Sequence, residues 1–137
     1  MESIKIIAPV KKPEDIELFA KETGCRDYYV YYKKFLNNNF DYVTEFVNVA
    51  KQNGCHIYIN FKHDIIEENL PEIKKMLRFL KTAGIDGILI NSFAILEAIK
   101  VFNLPFKVIV DSYFDIHNLS GIDFVNNFHK VDEIIIT

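Results

Sequence analysis

The stretches KETGC (residues 21–25), KQNGC (51–55) and KTAGI (81–85) place a Lys-x-x-Gly pattern every 30 residues along the chain. A repeat of this length indicates that one supersecondary unit recurs. Because glycine accepts the left-handed conformation that ends many helices, each stretch predicts the end of a helix. The lysine of each stretch then lies in the last turn, where the helix dipole favours a positive charge.

The segments on either side of each glycine have different periodicities. Before it, apolar residues follow the i, i+3, i+4, i+7 spacing of one helix face. These positions hold Ile16, Phe19, Ala20 and Thr23, then Val43, Phe46, Val47 and Ala50, then Ile73, Met76, Leu77 and Leu80. After it come the short runs YYVYY (28–32), IYINF (57–61) and ILIN (88–91), whose Ile, Val and Tyr content predicts buried strands. The repeating unit is therefore helix, glycine, strand.

Strand and helix continue to alternate outside these three units. The further predicted elements are strands at IKIIAPV (4–10), FKVIV (106–110) and EIIIT (133–137), and helices at SFAILEAIKVFN (92–103) and GIDFVNNFHKV (121–131). Helix starts are expected at Asp41 with Glu45 nearby, at Pro71 and at Ser92. Such alternation predicts an α/β fold with a mostly parallel sheet and right-handed crossovers. Six strands and five helices make a single partial TIM-barrel-like domain over 1–137, since a complete barrel needs about 250 residues.

Composition limits the classes of function. Half of the 137 residues are hydrophobic, 26% are charged and the net charge is -3, which is typical of a soluble globular domain. No basic run suggests nucleic-acid binding, no apolar segment approaches the about 20 residues of a membrane span, and no signal-peptide pattern is present. We therefore expect a cytoplasmic protein that binds neither nucleic acid nor membrane.

No cofactor or metal is expected. The chain has no G-x-G-x-x-G motif after the first strand, no P-loop, no HExxH and no CxxC. Its two cysteines, Cys25 and Cys55, follow helix-ending glycines and are predicted to be small buried residues at the amino edge of the sheet. Two cysteines cannot by themselves hold an iron–sulfur cluster.

Functional residues of this fold follow the strands, and the densest polar cluster is DSYFDIHN (111–118). A carboxylate at the end of a buried strand is costly unless it is paired, which favours Asp111 as a functional residue. The candidate catalytic residues are Asp111, Ser112, Tyr113 and His117, and the candidate substrate-binding residues are Asn60, Lys62, Asn91 and Asn118.

Structural roles remain open for the same residues. Asp111 would also serve as a helix N-cap or as a partner of Lys62, His117 as a solvated loop residue, and Ser112 has no identifiable base. The tyrosines of YYVYY resemble a base-stacking platform, but alternation along a strand favours core and helix contacts.

In order along the chain, several segments resemble the N-terminal half of peptidase family U32, the collagenase-like peptidases. The opening 6–35, with Phe35 at an aromatic position, is similar to the family's LLAPAGN and YLGG..F..R segments. NFD (39–41), NGCHIYINF (53–61), AGIDGILIN (83–91) and VDSYFDIHN (110–118) are similar to the segments that follow. The resemblance implies a barrel fold and a peptidase activity, with functional groups at the carboxyl edge of the sheet.

Several positions depart from the family pattern. Lys62, Ser92 and Tyr113 stand where the family has asparagine, an acidic residue and glutamine, and the arginine-bearing loop after Phe35 is shortened. The second half of the family barrel, with its cysteine cluster, has no counterpart in these residues. The resemblance thus implies an incomplete or catalytically degenerate peptidase. Its alternatives are a non-catalytic half-barrel subunit, or part of a protein of the same family that hydroxylates RNA or quinone precursors without oxygen.

The predicted strand EIIIT (133–137) is apolar and would form an edge of the sheet. An exposed parallel edge invites pairing with another chain, so we expect a homo-oligomer or a complementary half-barrel chain. A small open α/β binding module, unrelated to the family, is the third hypothesis.

Overall fold

The computed structural model describes residues 6–35, 39–61, 70–90, 93–104, 107–110 and 133–134. The strands are β1 (Ile7–Pro9), β2 (Asp27–Tyr31), β3 (His56–Asn60), β4 (Gly87–Ile90), β5 (Lys107–Val110) and β6 (Glu133–Ile134). The α-helices are α1 (Pro13–Thr23), α2 (Asp41–Gln52), α3 (Leu70–Leu80) and α4 (Phe93–Phe102), and a 3-10 helix spans Tyr32–Phe35. The fifth predicted helix, 121–131, lies outside the described residues.

The six strands form one parallel sheet in the order β1-β2-β3-β4-β5-β6. Each strand therefore lies beside the next strand in sequence, and successive right-handed crossovers place the helices on the same face. This is the strand order of a (β/α) barrel wall. The predicted fold class, alternating βα units with a parallel sheet, is confirmed.

The glycines of the repeat adopt the backbone conformation that was predicted for helix ends. Gly24, Gly54 and Gly84 have φ angles of 73°, 65° and 86°, in the left-handed region. The Gly24 N–H donates to the Ala20 carbonyl at 3.1 Å, which satisfies one of the last carbonyls of α1. The chain can then turn directly into the next strand.

Helix starts agree with prediction only in part. Pro71 is the second residue of α3, as expected. Asp41, however, does not cap α2: the N-cap is Phe40, which makes no side-chain cap bond, and Asp41 is the first helical residue. A carboxylate is favourable there because of the helix dipole. Ser92 lies outside the described residues.

Two hydrophobic clusters occupy the two faces of the sheet. The larger cluster packs the helices on the outer face of the sheet. It contains all of the apolar-face residues that were predicted for α2 and α3. On the predicted apolar face of α1, Thr23 does not join the core: it is exposed, and its Oγ1 donates to the Phe19 carbonyl at 2.7 Å. The smaller cluster lies on the inner face and contains Tyr58, Leu89 and Ile109, with Ile7 and Tyr29 packed against it.

The two cysteines differ in burial. Cys55 belongs to the helix-side core, as predicted. Cys25 is only half-buried, and its Sγ lies 3.4 Å from the Asp27 carbonyl oxygen. Within the described ranges, no helix is long and apolar enough to cross a membrane.

Candidate functional site

Asn60 lies on the inner face at the carboxyl edge of the sheet. It is the last residue of β3 and stands in register with Tyr31 of β2 and Leu89 of β4. The residue is 1% exposed, and among the described residues it is the only buried polar residue other than tyrosine. An amide offers two donors and one acceptor, so one group can hold the fold and another can meet a ligand.

Two tyrosines extend the inner face beside Asn60. The rings of Tyr29 and Tyr31 meet edge to face, with centroids 5.5 Å apart and planes at 89°. Tyr31 is 39% exposed, whereas Tyr29 packs against the inner cluster. At the carboxyl edge of the inner face, which we call the mouth, Tyr31, Asn60 and Leu89 therefore form one row across three strands.

The loops after β1 and β2 are held against each other. Lys34 Nζ donates to the Lys11 carbonyl, and the Lys34 carbonyl accepts from Asn39 Nδ2 at 3.2 Å. The Asp15 carboxylate accepts from the backbone N–H groups of Lys11 and Lys12, both at 3.3 Å. These bonds fix the backbone beside the mouth and leave several exposed lysine side chains around it.

A buried hydroxyl lies behind this mouth, on the helix side. The ring of Tyr32 stacks on Phe61, with centroids 5.3 Å apart and planes at 17°. Tyr32 is completely buried, and its hydroxyl has no hydrogen-bond partner among the residues that the structure describes. Burial raises the pKa of the Tyr32 hydroxyl above its usual value, so the phenol stays protonated at neutral pH.

A second polar constellation lies at the opposite, amino edge of the sheet. A cavity of about 280 Å³ is lined by Asp27, His56, Tyr58, Asp86 and Lys107. His56 Nδ1 lies 3.2 Å from Asp27 Oδ1, and the Tyr58 hydroxyl donates to the same oxygen at 3.3 Å. Asp86 Oδ2 accepts from the Ile57 N–H at 2.9 Å. We call this the amino-edge cavity.

The amino-edge cavity was not predicted from the sequence. Its residues lie on β2, β3 and β5 and in the loop before β4. They meet because Asp27 pairs with His56 and Gly87 pairs with Lys107 in the register. No group of three His, Cys, Asp or Glu side chains that could hold a metal ion occurs in the part of the chain that the structure describes.

A family model for peptidase family U32 matches residues 24–137. The chain belongs to peptidase family U32. The match begins at the glycine of the first repeat and covers most of the chain, including the strands that carry both polar edges. The family resemblance drawn from the sequence is thereby confirmed. No curated protein matched this U32 chain.

Solved structures with similar folds are larger enzymes. A mandelate racemase/muconate lactonizing family protein from Azoarcus sp. EbN1 matches with a TM-score of 0.62 and 10% identity over 97% of this U32 chain. A putative mandelate racemase from Bordetella bronchiseptica RB50 matches with a TM-score of 0.61 and 11% identity over 95%. A D-allulose 3-epimerase from Methylomonas sp. matches with a TM-score of 0.58 and 11% identity over 96%.

These similarities concern the fold alone, because the sequence identities are so low. The U32 chain spans 36% of each of the two racemase-type proteins and 61% of the epimerase. Its six strands therefore correspond to part of a larger fold in those enzymes.

Of the residues predicted for the site, the structure describes Asn60 and places it at the carboxyl edge, as expected. The others lie outside the described residues: Asp111, Ser112, Tyr113, His117, Lys62, Asn91 and Asn118. In the sequence, Asn91 directly follows the end of β4 and Asp111 directly follows the end of β5. Their assignment to the site stays a prediction for this U32 chain.

Proposed function

We propose that this chain forms the N-terminal part of a U32-type barrel that binds a polypeptide at the carboxyl edge of its sheet and hydrolyses it. The observation that carries the proposal is Asn60, a buried amide on the inner face between Tyr31 and Leu89. In a parallel α/β fold this edge of the sheet is where ligands bind.

A polypeptide suits the groups around Asn60. A peptide backbone alternates donors and acceptors, and the Asn60 amide can pair with either. Tyr31 adds an aromatic surface and a hydroxyl on one side of Asn60, and Leu89 adds an apolar contact on the other side. The family to which the chain belongs is named for peptidases, which supports the same substrate class.

The proposal assigns the chemistry to residues that follow β5. Asp111 and His117 are the proposed bases that activate water, with Ser112 and Tyr113 as further catalytic candidates. Lys62, Asn91 and Asn118 are proposed to bind the substrate together with Asn60. The proposal includes a cytoplasmic location, which the free thiols of Cys25 and Cys55 support.

Substitution of Asn60 by leucine, which has a similar shape, tests this proposal. We expect kcat/KM for hydrolysis of gelatin-derived peptides to fall about tenfold, because one buried hydrogen bond to the substrate is lost. The measurement is peptide turnover, together with peptide affinity by fluorescence anisotropy and thermal unfolding of both proteins.

Two comparison variants make that result specific. Glu45→Gln changes an exposed residue of α2 and is expected to leave turnover unchanged. Asp111→Asn is expected to abolish turnover while the peptide still binds. Turnover that survives Asp111→Asn contradicts the catalytic assignment, and equal peptide affinity in Asn60→Leu and in the unaltered protein contradicts the binding site.

A second candidate function is that of a half-barrel subunit that docks on another chain, with or without catalysis. It is favoured by exposed apolar side chains that precede and follow β1 in the sequence, since β1 is the end strand of the sheet. Ile6, just before β1, is 67% exposed, and Leu18, on the following helix, is 49% exposed. A second copy or a complementary half-barrel chain would cover them.

Light scattering of the purified chain tests this candidate. We expect a dimer, and we expect Leu18→Glu to shift the mass to the monomer because a buried charge opposes docking. Circular dichroism should be unchanged, since Leu18 does not belong to the core. A monomer at every concentration would argue against a homo-oligomer and leave a different chain as the partner.

A further inference from the structure

We infer that the amino-edge cavity is a second binding site, for a small molecule that carries a primary ammonium group. The cavity lies at the opposite end of the strands from Asn60, so it is distinct from the proposed peptide site. The inference rests on two hydrogen-bond acceptors that face the cavity, one on His56 and one on Asp86, and on the negative charge of the residues that line it.

The first acceptor is Nε2 of His56. Asp27 Oδ1 lies 3.2 Å from His56 Nδ1, and a carboxylate at this position favours the tautomer with the proton on Nδ1. The neutral ring then has Nε2 as an acceptor. Among the described residues no donor is bonded to Nε2, and the His56 side chain is 55% exposed.

The second acceptor is on Asp86. Its Oδ2 is held by the Ile57 N–H at 2.9 Å, and the Asp86 N–H in turn donates to the Ile57 carbonyl at 2.9 Å. Both bonds fix the residue against β3. Its Oδ1 accepts no hydrogen bond from the residues that the structure describes, and the residue is exposed at the cavity.

The charge of the lining favours a cation. Asp27 and Asp86 contribute two negative charges and Lys107 contributes one positive charge. The neighbouring Arg26 guanidinium donates to the Asn53 carbonyl at 2.8 Å, at the end of α2. An ammonium ion has three donors and no acceptor, which matches two acceptors in a negative cavity.

The size of the cavity limits the ligand. At about 280 Å³ it is just below the range of about 300–1,000 Å³ that is usual for drug-sized ligands. Stability alone does not account for the arrangement, because exposed polar contacts such as that of His56 with Asp27 contribute little to folding.

The inference can be tested by titration with three probes of similar length and different charge: butylammonium, butyrate and butanol. Binding is followed at one fixed pH in a proton–carbon correlation spectrum of the histidine rings, in which a His56→Gln variant identifies the His56 signal. We expect butylammonium to shift the His56 signal saturably, and butyrate and butanol to leave it unchanged.

Two matched variants locate the binding. Asp86→Asn keeps an oxygen for the Ile57 N–H but removes the charge, so we expect butylammonium to bind about tenfold more weakly. Glu17→Gln removes an exposed charge on α1 and should bind as the unaltered protein does. The inference is overturned if butyrate shifts His56 as strongly, if no saturable shift occurs, or if Asp86→Asn binds normally. Peptide turnover is not needed for any of these readouts, so failure of the proposed function is seen separately.

Discussion

Substitution of Gly87 by alanine is expected to lower the free energy of unfolding by about 3 kcal/mol, because the added methyl group overpacks the inner face. An ideal Cβ at Gly87 would lie 2.6 Å from the Lys107 carbonyl oxygen, and 3.0 Å from both Lys107 Cβ and Tyr58 Cδ1. The nearest atom belongs to the backbone of β5 and cannot rotate away. Strands β4 and β5 must therefore separate, and urea unfolding measures the cost.

Gly24→Ala is the control for a glycine that is needed only for its backbone conformation. Gly24 has a φ of +73°, and a Cβ there would meet nothing within 4 Å. We expect a loss of about 1 kcal/mol, the usual cost of a left-handed non-glycine residue. Equal losses at Gly24 and Gly87 would contradict the overpacking argument.

Gly87 also bears on the amino-edge cavity. It is in register with Tyr58 on one side and Lys107 on the other, and both of these residues line the cavity. A side chain at this position would displace them. The absence of a side chain at Gly87 thus keeps β3, β4 and β5 close enough for the polar groups at their amino ends to face one cavity.

The fold was predictable from the sequence because its signals are local. The repeat of Gly24, Gly54 and Gly84 fixed the helix ends, and the apolar stripes of α2 and α3 identified the core faces. Strand alternation predicted core and helix contacts for the tyrosines of YYVYY, and in the structure Tyr28 belongs to the helix-side core while Tyr29 packs on the inner face. The predicted N-cap of α2 was wrong by one position: the N-cap is Phe40, and Asp41 is the first helical residue.

The two polar edges differed in predictability. Asn60 was accessible to sequence reasoning, since a polar residue that ends a buried strand points to the carboxyl edge. The amino-edge cavity was not, because Asp27 and His56 meet only through the register of β2 and β3. Register depends on how two strands that are far apart in the sequence pair in the sheet, and no single stretch of sequence specifies it.

Substitution of Phe46 by alanine is expected to lower the free energy of unfolding by about 4 kcal/mol, since it leaves a cavity in the core. Phe46 is completely buried on α2, with its ring 5.8 Å from that of Phe35 and 5.0 Å from that of Tyr42, both edge to face. Urea unfolding of the variant measures the loss. Thr44→Ala, an exposed change on the same helix, should alter stability by less than about 0.5 kcal/mol.

The effect of Phe46→Ala should also reach the carboxyl edge. Phe35 ends the 3-10 helix that begins at Tyr32, and this helix carries Lys34, whose Nζ bonds to the Lys11 carbonyl. Loss of the Phe46 ring removes a packing partner of Phe35. Relative to the unaltered protein, amide hydrogen exchange should therefore rise more in the 3-10 helix than in the other elements. If exchange rises equally along the whole chain, the variant is only globally less stable and Phe46 has no special role in holding the mouth of the proposed peptide site.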